Sequence, residues 1–224
     1  MSRSFDPEWE TNGLLLKAAH FLKDWVESQK IHGLKSELFT EQGHTPLLLF
    51  TIPGSSEESN QREVMMYGHL DKQPHGEGWN EGYGPVSAKE KDGKLWGRGT
   101  ADDGYAIFAA ILSIKACINR KAEYPRVVII IEADEESFGT DLPYYLSKYK
   151  EKFGNPSLIV CLDSSGNDFE RFWITNSLRG VMNFNLTVKI LEEGVHSGEW
   201  GGVFPDSFRI IRLLLNRLEN PETG

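Results

Sequence analysis

RVVIIIEADEES, residues 126–137, runs from a block of β-branched side chains directly into a cluster of carboxylates. A strand that is apolar on both faces is typical of a sheet that other structure covers on both sides. SLIVCL, residues 157–162, is a second run of this kind, and residues 141–152 between the two carry apolar side chains at helical spacing. Such strands, alternating with helices, predict an α/β fold with a mixed, mostly parallel sheet and helices on both faces.

The segments before this stretch fit the same alternation. Helical spacing of apolar residues also occurs over 11–29 and 103–119, and strand-like segments occupy about 34–40, 46–52 and 62–68. Asp92-Gly93, the dipeptide favoured by a tight hairpin turn, separates two short alternating segments. We therefore expect a helix, then strands, then the alternating part of the sheet.

The pattern changes after about residue 178. Residues 173–193, WITNSLRGVMNFNLTVKILEE, alternate in the manner of a half-exposed antiparallel strand, and residues 204–218 have the spacing of an amphipathic helix. The apolar stripe of that helix consists of Ile210, Ile211, Leu214 and Leu218. We expect one domain over residues 1–178 and the beginning of a small α+β domain over 179–224.

Charge and composition exclude several classes of partner. The chain has 224 residues and a formal charge of −9, with no cluster of Lys and Arg, which argues against a nucleic-acid or anionic-membrane surface. No window approaches the roughly 18 apolar residues that cross a bilayer, and the first residues lack a signal-peptide pattern, so we expect a cytoplasmic location. Cys117 and Cys161 have no CxxC spacing and are expected to be buried free thiols.

Four short segments carry acidic or histidine side chains in one order along the chain. They are YGHLD (67–71), GRGTADD (97–103), EADEES (132–137) and CLDSS (161–165). Three of them follow directly on strand-like runs, and ligands of open α/β sheets collect beyond the carboxyl ends of the strands. Imidazole and carboxylates are ligands for zinc and similar cations, so this order indicates a hydrolytic metalloenzyme.

Each segment also has a purely structural interpretation. His69 and Asp71 point to the same side of an extended chain, so Asp71 can orient the imidazole for a metal, or the two can form a polar pair at a strand end. Asp102 can bridge two cations, or it can join Asp103 in capping the following helix.

The last two segments have similar alternatives. Glu135 and Glu136 can divide the metal and the attacking water between them, or they can form the acidic first turn of a helix. Asp163 is a ligand or an ordinary turn residue. The joint occurrence of the four segments at sheet edges favours the metal site.

The motifs together resemble those of the carnosinase, aminoacylase and succinyl-diaminopimelate desuccinylase family of zinc peptidases, over its N-terminal half. GHLDKQP is similar to the carnosine-dipeptidase branch, and GRGTADDG resembles the family's bridging-aspartate loop. GVHSGEWGG, residues 194–202, resembles the histidine motif of the family's lid, or dimerisation, domain. The resemblance runs from about residue 10 to the end and implies a catalytic domain over 1–178 and the start of a lid over 179–224.

The resemblance also implies a role for each motif residue. His69 and Asp163 would bind one zinc ion, Glu136 would bind a second, and Asp102 would bridge the two. Glu135 would be the general base, and Asp71 would orient the histidine ligand. The Asp102–Asp103 peptide bond would be cis, and His196 would reach the neighbouring subunit's site in a dimer.

The activity implied is the hydrolysis of an amide bond in dipeptides or short peptides, and Asp rather than Glu at position 163 favours a dipeptide-like substrate. Manganese or cobalt could replace zinc in a site rich in carboxylates. Family members are about twice this length, and their final histidine ligand lies in the half without a counterpart here. We therefore expect a piece of a longer enzyme, or one half of a split one.

Two other functions stay open at this point. The chain could be a non-catalytic fragment that associates with a full-length subunit through its incomplete lid, with an exposed apolar face on the 204–218 helix. It could also be a deacylase of N-acyl amino acids with the same metals and a different substrate pocket.

Overall fold

A computed structural model of the chain describes residues 1–137, 139–164, 166–168 and 170–224. The chain divides into two compact units, Met1–Ile174 and Thr175–Gly224, each of which is described by itself. The expected division at residue 178 into a catalytic and a lid domain stays a prediction.

The first unit is built on a five-stranded sheet. Its strands are β1 (Lys35–Phe39), β2 (Leu47–Ile52), β3 (Glu63–His69), β6 (Arg126–Glu132) and β7 (Leu158–Cys161), in the spatial order β1-β2-β6-β3-β7. The pairs β1–β2 and β2–β6 are antiparallel, whereas β6–β3 and β3–β7 are parallel. The expected mixed sheet is confirmed, with its parallel half at the β7 edge. A separate hairpin of β4 (Lys89–Lys91) and β5 (Lys94–Trp96) turns at Asp92-Gly93, as predicted.

Helices cover both faces of this sheet, which confirms the α/β prediction. They are α1 (Leu14–Ser28), α2 (Ala106–Arg120), α3 (Asp141–Lys148) and the short α4 (Lys150–Phe153). Successive side chains of β6 point to opposite faces, so Ile129 packs with α1 and α2 whereas Ile130 packs with Tyr145 and Phe153 on the other face. Each such buried side chain contributes about 1.5–3 kcal/mol of transfer free energy.

The parallel strands determine where polar loops meet. His69 at the end of β3 lies opposite Glu132 of β6, and Tyr67 lies opposite Cys161 of β7. The loops that follow β3, β6 and β7 therefore leave the sheet at one edge, beyond the carboxyl ends of three adjacent strands.

The second unit contains two short helices, α5 (Ser197–Trp200) and α6 (Ser207–Leu215). Asp206 caps α6 by accepting the backbone N–H of Arg209 at 3.0 Å, so the predicted amphipathic helix is confirmed over a shorter range. The predicted strand over 173–193 is wrong, because no strand occurs among the residues described there, and Leu178 and Met182 are exposed. A single alternating segment has no neighbouring strand here to satisfy its backbone, so the sequence pattern alone does not make a sheet.

The thiol prediction is half correct. Cys117 and Cys161 are both free, but Cys117 is partly buried and Cys161 is exposed. Cys161 lies on β7, the edge strand, where Leu158 and Ile159 are exposed as well. Among the described residues, no helix is long and apolar enough to span a membrane.

Candidate metal centre

His69 is the centre of the site. It is the last residue of β3, its side chain is fully buried, and its Nε2 atom has no hydrogen-bond partner among the described residues. Nε2 lies 3.2 Å from Asp102 Oδ1, 3.6 Å from Asp163 Oδ2 and 3.8 Å from Glu135 Oε2. A buried imidazole nitrogen surrounded by carboxylate oxygens is the environment of a metal ligand.

The carboxylates form two groups around this nitrogen. One group joins His69 with Asp102 and Glu136, and the other joins it with Glu135 and Asp163. Within each group the ligand atoms lie within 4.8 Å of one another. The structure thus brings together all four predicted ligands and the predicted base.

The donor set fits divalent cations. Glu136 Oε1 is a second buried atom without a hydrogen-bond partner among the described residues. Buried polar atoms without partners are costly, and a bound cation would satisfy both. Imidazole with carboxylates suits zinc, and the excess of carboxylates also suits manganese.

Asp71 holds the other side of the imidazole. His69 Nδ1 lies 3.0 Å from the Asp71 backbone oxygen and 3.3 Å from its Oδ1 atom. Asp71 Oδ2 accepts the backbone N–H of Glu136 at 3.1 Å, so this residue also links the β3 and β6 loops. Burial opposes protonation of His69, but the hydrogen bond and charge of Asp71, together with Asp163 and Glu135, outweigh it and raise the pKa of His69 to about 9.

Glu135 and Glu136 lie on a single 3₁₀ turn, Glu135–Ser137, that follows β6. Burial raises the pKa of Glu135, and Asp163 and Glu136 raise it further against the opposing effect of His69. Burial likewise raises the pKa of Asp163, with Asp102 and Asp103 adding to the effect while His69 opposes it. Mutual repulsion of this kind is relieved when a cation binds between the carboxylates.

Asp103 has a structural role that the sequence only partly indicated. It is fully buried, its Oδ2 accepts the backbone N–H of His69 at 3.1 Å, and its Oδ1 accepts that of Ala106 at 3.1 Å. The helix-capping alternative therefore holds for Asp103, which also fixes the end of β3, while the neighbouring Asp102 is largely exposed. The expected cis bond between them is wrong: the bond is trans, the form that non-proline peptides favour by about 3–4 kcal/mol.

Lys72 and Gln73 support the site without having been singled out from the sequence. Lys72 Nζ donates to the carbonyl oxygens of Leu70 at 2.8 Å and Asp71 at 3.2 Å, and also to that of Asp103. Gln73 Nε2 donates to Glu136 Oε2. Their position directly after the HLD motif was the available signal, since such neighbours commonly orient ligands.

A cavity of about 580 Å³ opens beside the two glutamates. Tyr67, Gln73 and Glu132 line it together with Ser4 and Phe5 near the start of the chain. Tyr67 donates a hydrogen bond to Glu132 Oε1 at 2.6 Å. The volume lies within the range of pockets for small ligands, about 300–1,000 Å³.

His196 belongs to the second unit. It precedes α5, is exposed, and its Nδ1 atom accepts the backbone N–H of Gly198 at 3.2 Å. This local contact matches a turn residue, and the dimer role implied by the resemblance stays a prediction.

Comparison with known proteins identifies a peptidase family and several dipeptidases that this chain resembles. Residues 65–174 match the model of the peptidase family M20/M25/M40, a span that holds every residue of the candidate centre. The chain is 33% identical to human Beta-Ala-His dipeptidase over 159 residues. This aligned region covers 69% of this chain and 31% of the relative. It is 25% identical over 180 residues to the Cys-Gly metallodipeptidase dug1 of Schizosaccharomyces pombe, covering 79% of this chain and 38% of the relative.

A solved structure supports the fold as well. Human carnosine dipeptidase 1 superposes with a TM-score of 0.53 at 22% identity, covering 90% of this chain and 44% of that one. The chain spans about a third of the length of the curated relatives it matches.

Proposed function

We propose that this chain, which belongs to the peptidase family M20/M25/M40, carries the metal-binding machinery for hydrolysis of the amide bond in dipeptides or short peptides. The named relatives are dipeptidases, which supports this substrate class. The single observation that carries the proposal is the buried His69 Nε2 atom, which faces three carboxylate oxygens at 3.2–3.8 Å and has no hydrogen-bond partner among the described residues.

The residues divide into ligands and a base. His69, Asp102, Glu136 and Asp163 would hold two zinc ions, with Asp102 shared between them. Zinc held there would lower the pKa of a water molecule and polarise the scissile carbonyl group. Asp71 keeps the imidazole in place through Nδ1, which leaves Nε2 for the metal.

Glu135 is the proposed general base. It would take a proton from the attacking water and pass it to the leaving amine nitrogen, so one carboxylate serves both halves of the reaction. Its position supports this role, because it follows a rigid central strand and lines the cavity where a small peptide would lie. Burial raises its pKa toward neutrality, which is the direction that favours a general base.

A dimer is part of the proposal. His196 would act at the neighbouring subunit's site, where a histidine side chain could stabilise the oxyanion of the tetrahedral intermediate. The support for this role is the sequence motif around His196 rather than any contact within one chain.

The experiment compares Glu135→Gln with wild type and with Glu57→Gln, an exposed glutamate outside the site. Bound metal per chain is measured by atomic emission, and hydrolysis of β-alanyl-histidine is measured with added zinc or manganese. We expect E135Q to bind as much metal as wild type and to lose about 10²–10⁴-fold in kcat. An active E135Q, or a wild-type chain that binds no metal, would overturn the proposal.

Association with a longer subunit is a second candidate function. Phe208, Leu213 and Leu215 of α6 and the adjacent Leu218 are all exposed, as an interaction fragment requires. Light scattering coupled to size exclusion would separate the two functions. A chain that binds metal but shows no turnover alone, and forms a defined complex with a full-length family member, would favour association.

A further inference from the structure

The loop that carries Glu135 and Glu136 is closed by two buried aspartates. Asp134 precedes the 3₁₀ turn and Asp141 begins α3, and their exposures are 0% and 3%. Asp134 Oδ2 accepts the backbone N–H of Asp141 at 3.0 Å. The Asp134 carbonyl oxygen accepts the N–H groups of Ser137 at 3.1 Å and Gly139 at 2.9 Å. Asp134 therefore sets the shape of the loop through both its side chain and its backbone.

Arg3 binds both aspartates at once. Its Nε atom lies 2.8 Å from Asp134 Oδ1, and one terminal nitrogen lies 3.1 Å from Asp141 Oδ2. The other terminal nitrogen donates to Thr140 Oγ1. A planar guanidinium can contact several acceptors in a fixed geometry, which a lysine ammonium cannot reproduce.

The residues on either side of Arg3 are tied to the same site. Ser4 donates its backbone N–H to Ser137 Oγ at 2.9 Å, directly after the two glutamates. Ser2 is fully buried and donates its backbone N–H to the Lys72 carbonyl oxygen at 2.9 Å. Residues 2–4 thus connect the loop after β3, which begins next to His69, with the loop after β6, which carries Glu136.

Arg3 also supplies the positive charge that balances two buried carboxylates, those of Asp134 and Asp141. Two neighbouring buried carboxylates repel each other and lose hydration, a cost that paired cations and hydrogen bonds offset. Among the residues that the structure describes, Arg3 forms the only ion pair to Asp134, while Asp141 also contacts His44 Nδ1 at 2.7 Å. Without Arg3, the loop would have to rearrange to bring Asp134 toward water.

We propose that Arg3 is a positioning residue that holds Glu135 and Glu136 in their metal-binding and catalytic geometry, acting through Asp134 and Asp141. The catalytic part of this proposal rests on the proposed function. The effects of Arg3 on metal binding and on the loop can be measured in a chain that shows no turnover.

The test compares Arg3→Gln and Arg3→Lys with Arg62→Gln. Arg62 is the matched control because its contact with Glu123 is an exposed pair at 3.9 Å. The first readout is the affinity for Co²⁺, which is monitored through the visible absorption of the bound ion. The second readout is the rate of backbone hydrogen exchange in the segment 134–141. Residues that orient metal ligands change affinity by about 10–100-fold when they are replaced. Arg3 acts one contact further away, so we expect R3Q to weaken cobalt binding about tenfold and to speed exchange in this segment.

R3K keeps the positive charge but loses the planar guanidinium, so we expect a smaller loss of cobalt affinity than in R3Q. R62Q should match wild type in both readouts. If R3Q lowers the melting temperature but leaves both cobalt affinity and exchange of 134–141 unchanged, Arg3 is merely structural and the inference is overturned. If the wild-type chain binds cobalt but hydrolyses no dipeptide, the proposed function fails while the cobalt comparison still tests Arg3. If the wild-type chain binds no cobalt, the hydrogen-exchange rate of segment 134–141 still tests the role of Arg3. Equal rates in R3Q and R62Q would then overturn the inference. Should R3Q fail to fold, the same comparison is made with R3K.

Discussion

Gly68 offers the sharpest test of how the sheet and the site are joined. It lies in β3 next to His69, and a Cβ atom added there would lie 2.3 Å from Ala106 Cβ and 2.5 Å from Asp103 Oδ2. Carbon atoms in ordinary contact are about 3.5–4.0 Å apart. Gly68→Ala therefore forces both helix α2 and the Asp103 carboxylate to move away from β3, by about an ångström at the contact with Ala106.

The expected loss of stability follows from the groups that the added methyl group would displace. Overpacking a well-ordered interior costs about 1–3 kcal/mol. Displacing Asp103 also weakens its hydrogen bonds to the backbone of His69 and Ala106, and each hydrogen bond to a charged group contributes about 1.5–3 kcal/mol. Partial relaxation on both sides gives an expected loss of about 3 kcal/mol, near the upper end for overpacking alone.

Thermal unfolding measured by circular dichroism provides the assay. In a chain of this size 1 kcal/mol shifts the melting temperature by about 2–4 °C, so G68A should melt about 6–12 °C lower than wild type. Gly180→Ala is the control, because a Cβ atom there meets nothing within 4 Å and its φ is not left-handed. A G68A variant that melts within about 2 °C of G180A would refute the reasoning, because the close contacts would then carry no energetic consequence.

Three further predictions follow from the core, from a buried carboxyl group and from metal binding. Ile129→Ala empties a site in β6 that is 1% exposed and should cost about 2–5 kcal/mol in urea unfolding; a loss below about 1 kcal/mol would contradict the core assignment. Burial raises the pKa of Glu132 to about 7 despite its hydrogen bond from Tyr67. The folded state thus holds the Glu132 proton more tightly than the unfolded state does. The contribution of Glu132 to stability is therefore full below its unfolded-state pKa and is lost as pH rises through its folded-state pKa. Glu132 should contribute about 2 kcal/mol to the loss of stability between pH 5 and 8, and we expect Glu132→Gln to remove that contribution; an equal pH dependence in both proteins would contradict this. Zinc at a hundred times its Kd should stabilise the fold by about 2.7 kcal/mol, whereas His69→Asn should show little of this shift and chelation should reverse it; an unchanged shift in the variant would place the metal elsewhere.

Local sequence patterns predicted the parts of the fold that depend on local periodicity. The helix expected over 11–29 is Leu14–Ser28, and the strand expected from the β-branched block that begins the 126–137 segment is Arg126–Glu132. Both carry an apolar pattern that matches their own secondary structure and that neighbouring elements then bury. The strand expected over 173–193 failed because alternation specifies one face of a strand but supplies no partner for its backbone.

The site could be predicted only as far as its motifs reached. His69, Asp102, Glu135 and Asp163 stand at strand ends or in a glycine-rich loop, where position and residue type together indicate ligands. The supporting contacts of Lys72, like those of Asp103, join loops far apart in sequence. No periodicity or spacing signals such contacts, because they are decided by how the strands pair.

The position of β3 between β6 and β7 has a consequence for the kinetics of folding. The contact between Glu136 and Asp71 joins residues 65 positions apart, and that between Asp103 and His69 spans 34. Closing such loops costs entropy before any contact repays it, and parallel pairing cannot be nucleated by a short turn. We therefore expect the proposed metal site to be complete only once all three strands are in register. The rate at which refolding protein gains cobalt absorption would report the completion of the parallel half of the sheet.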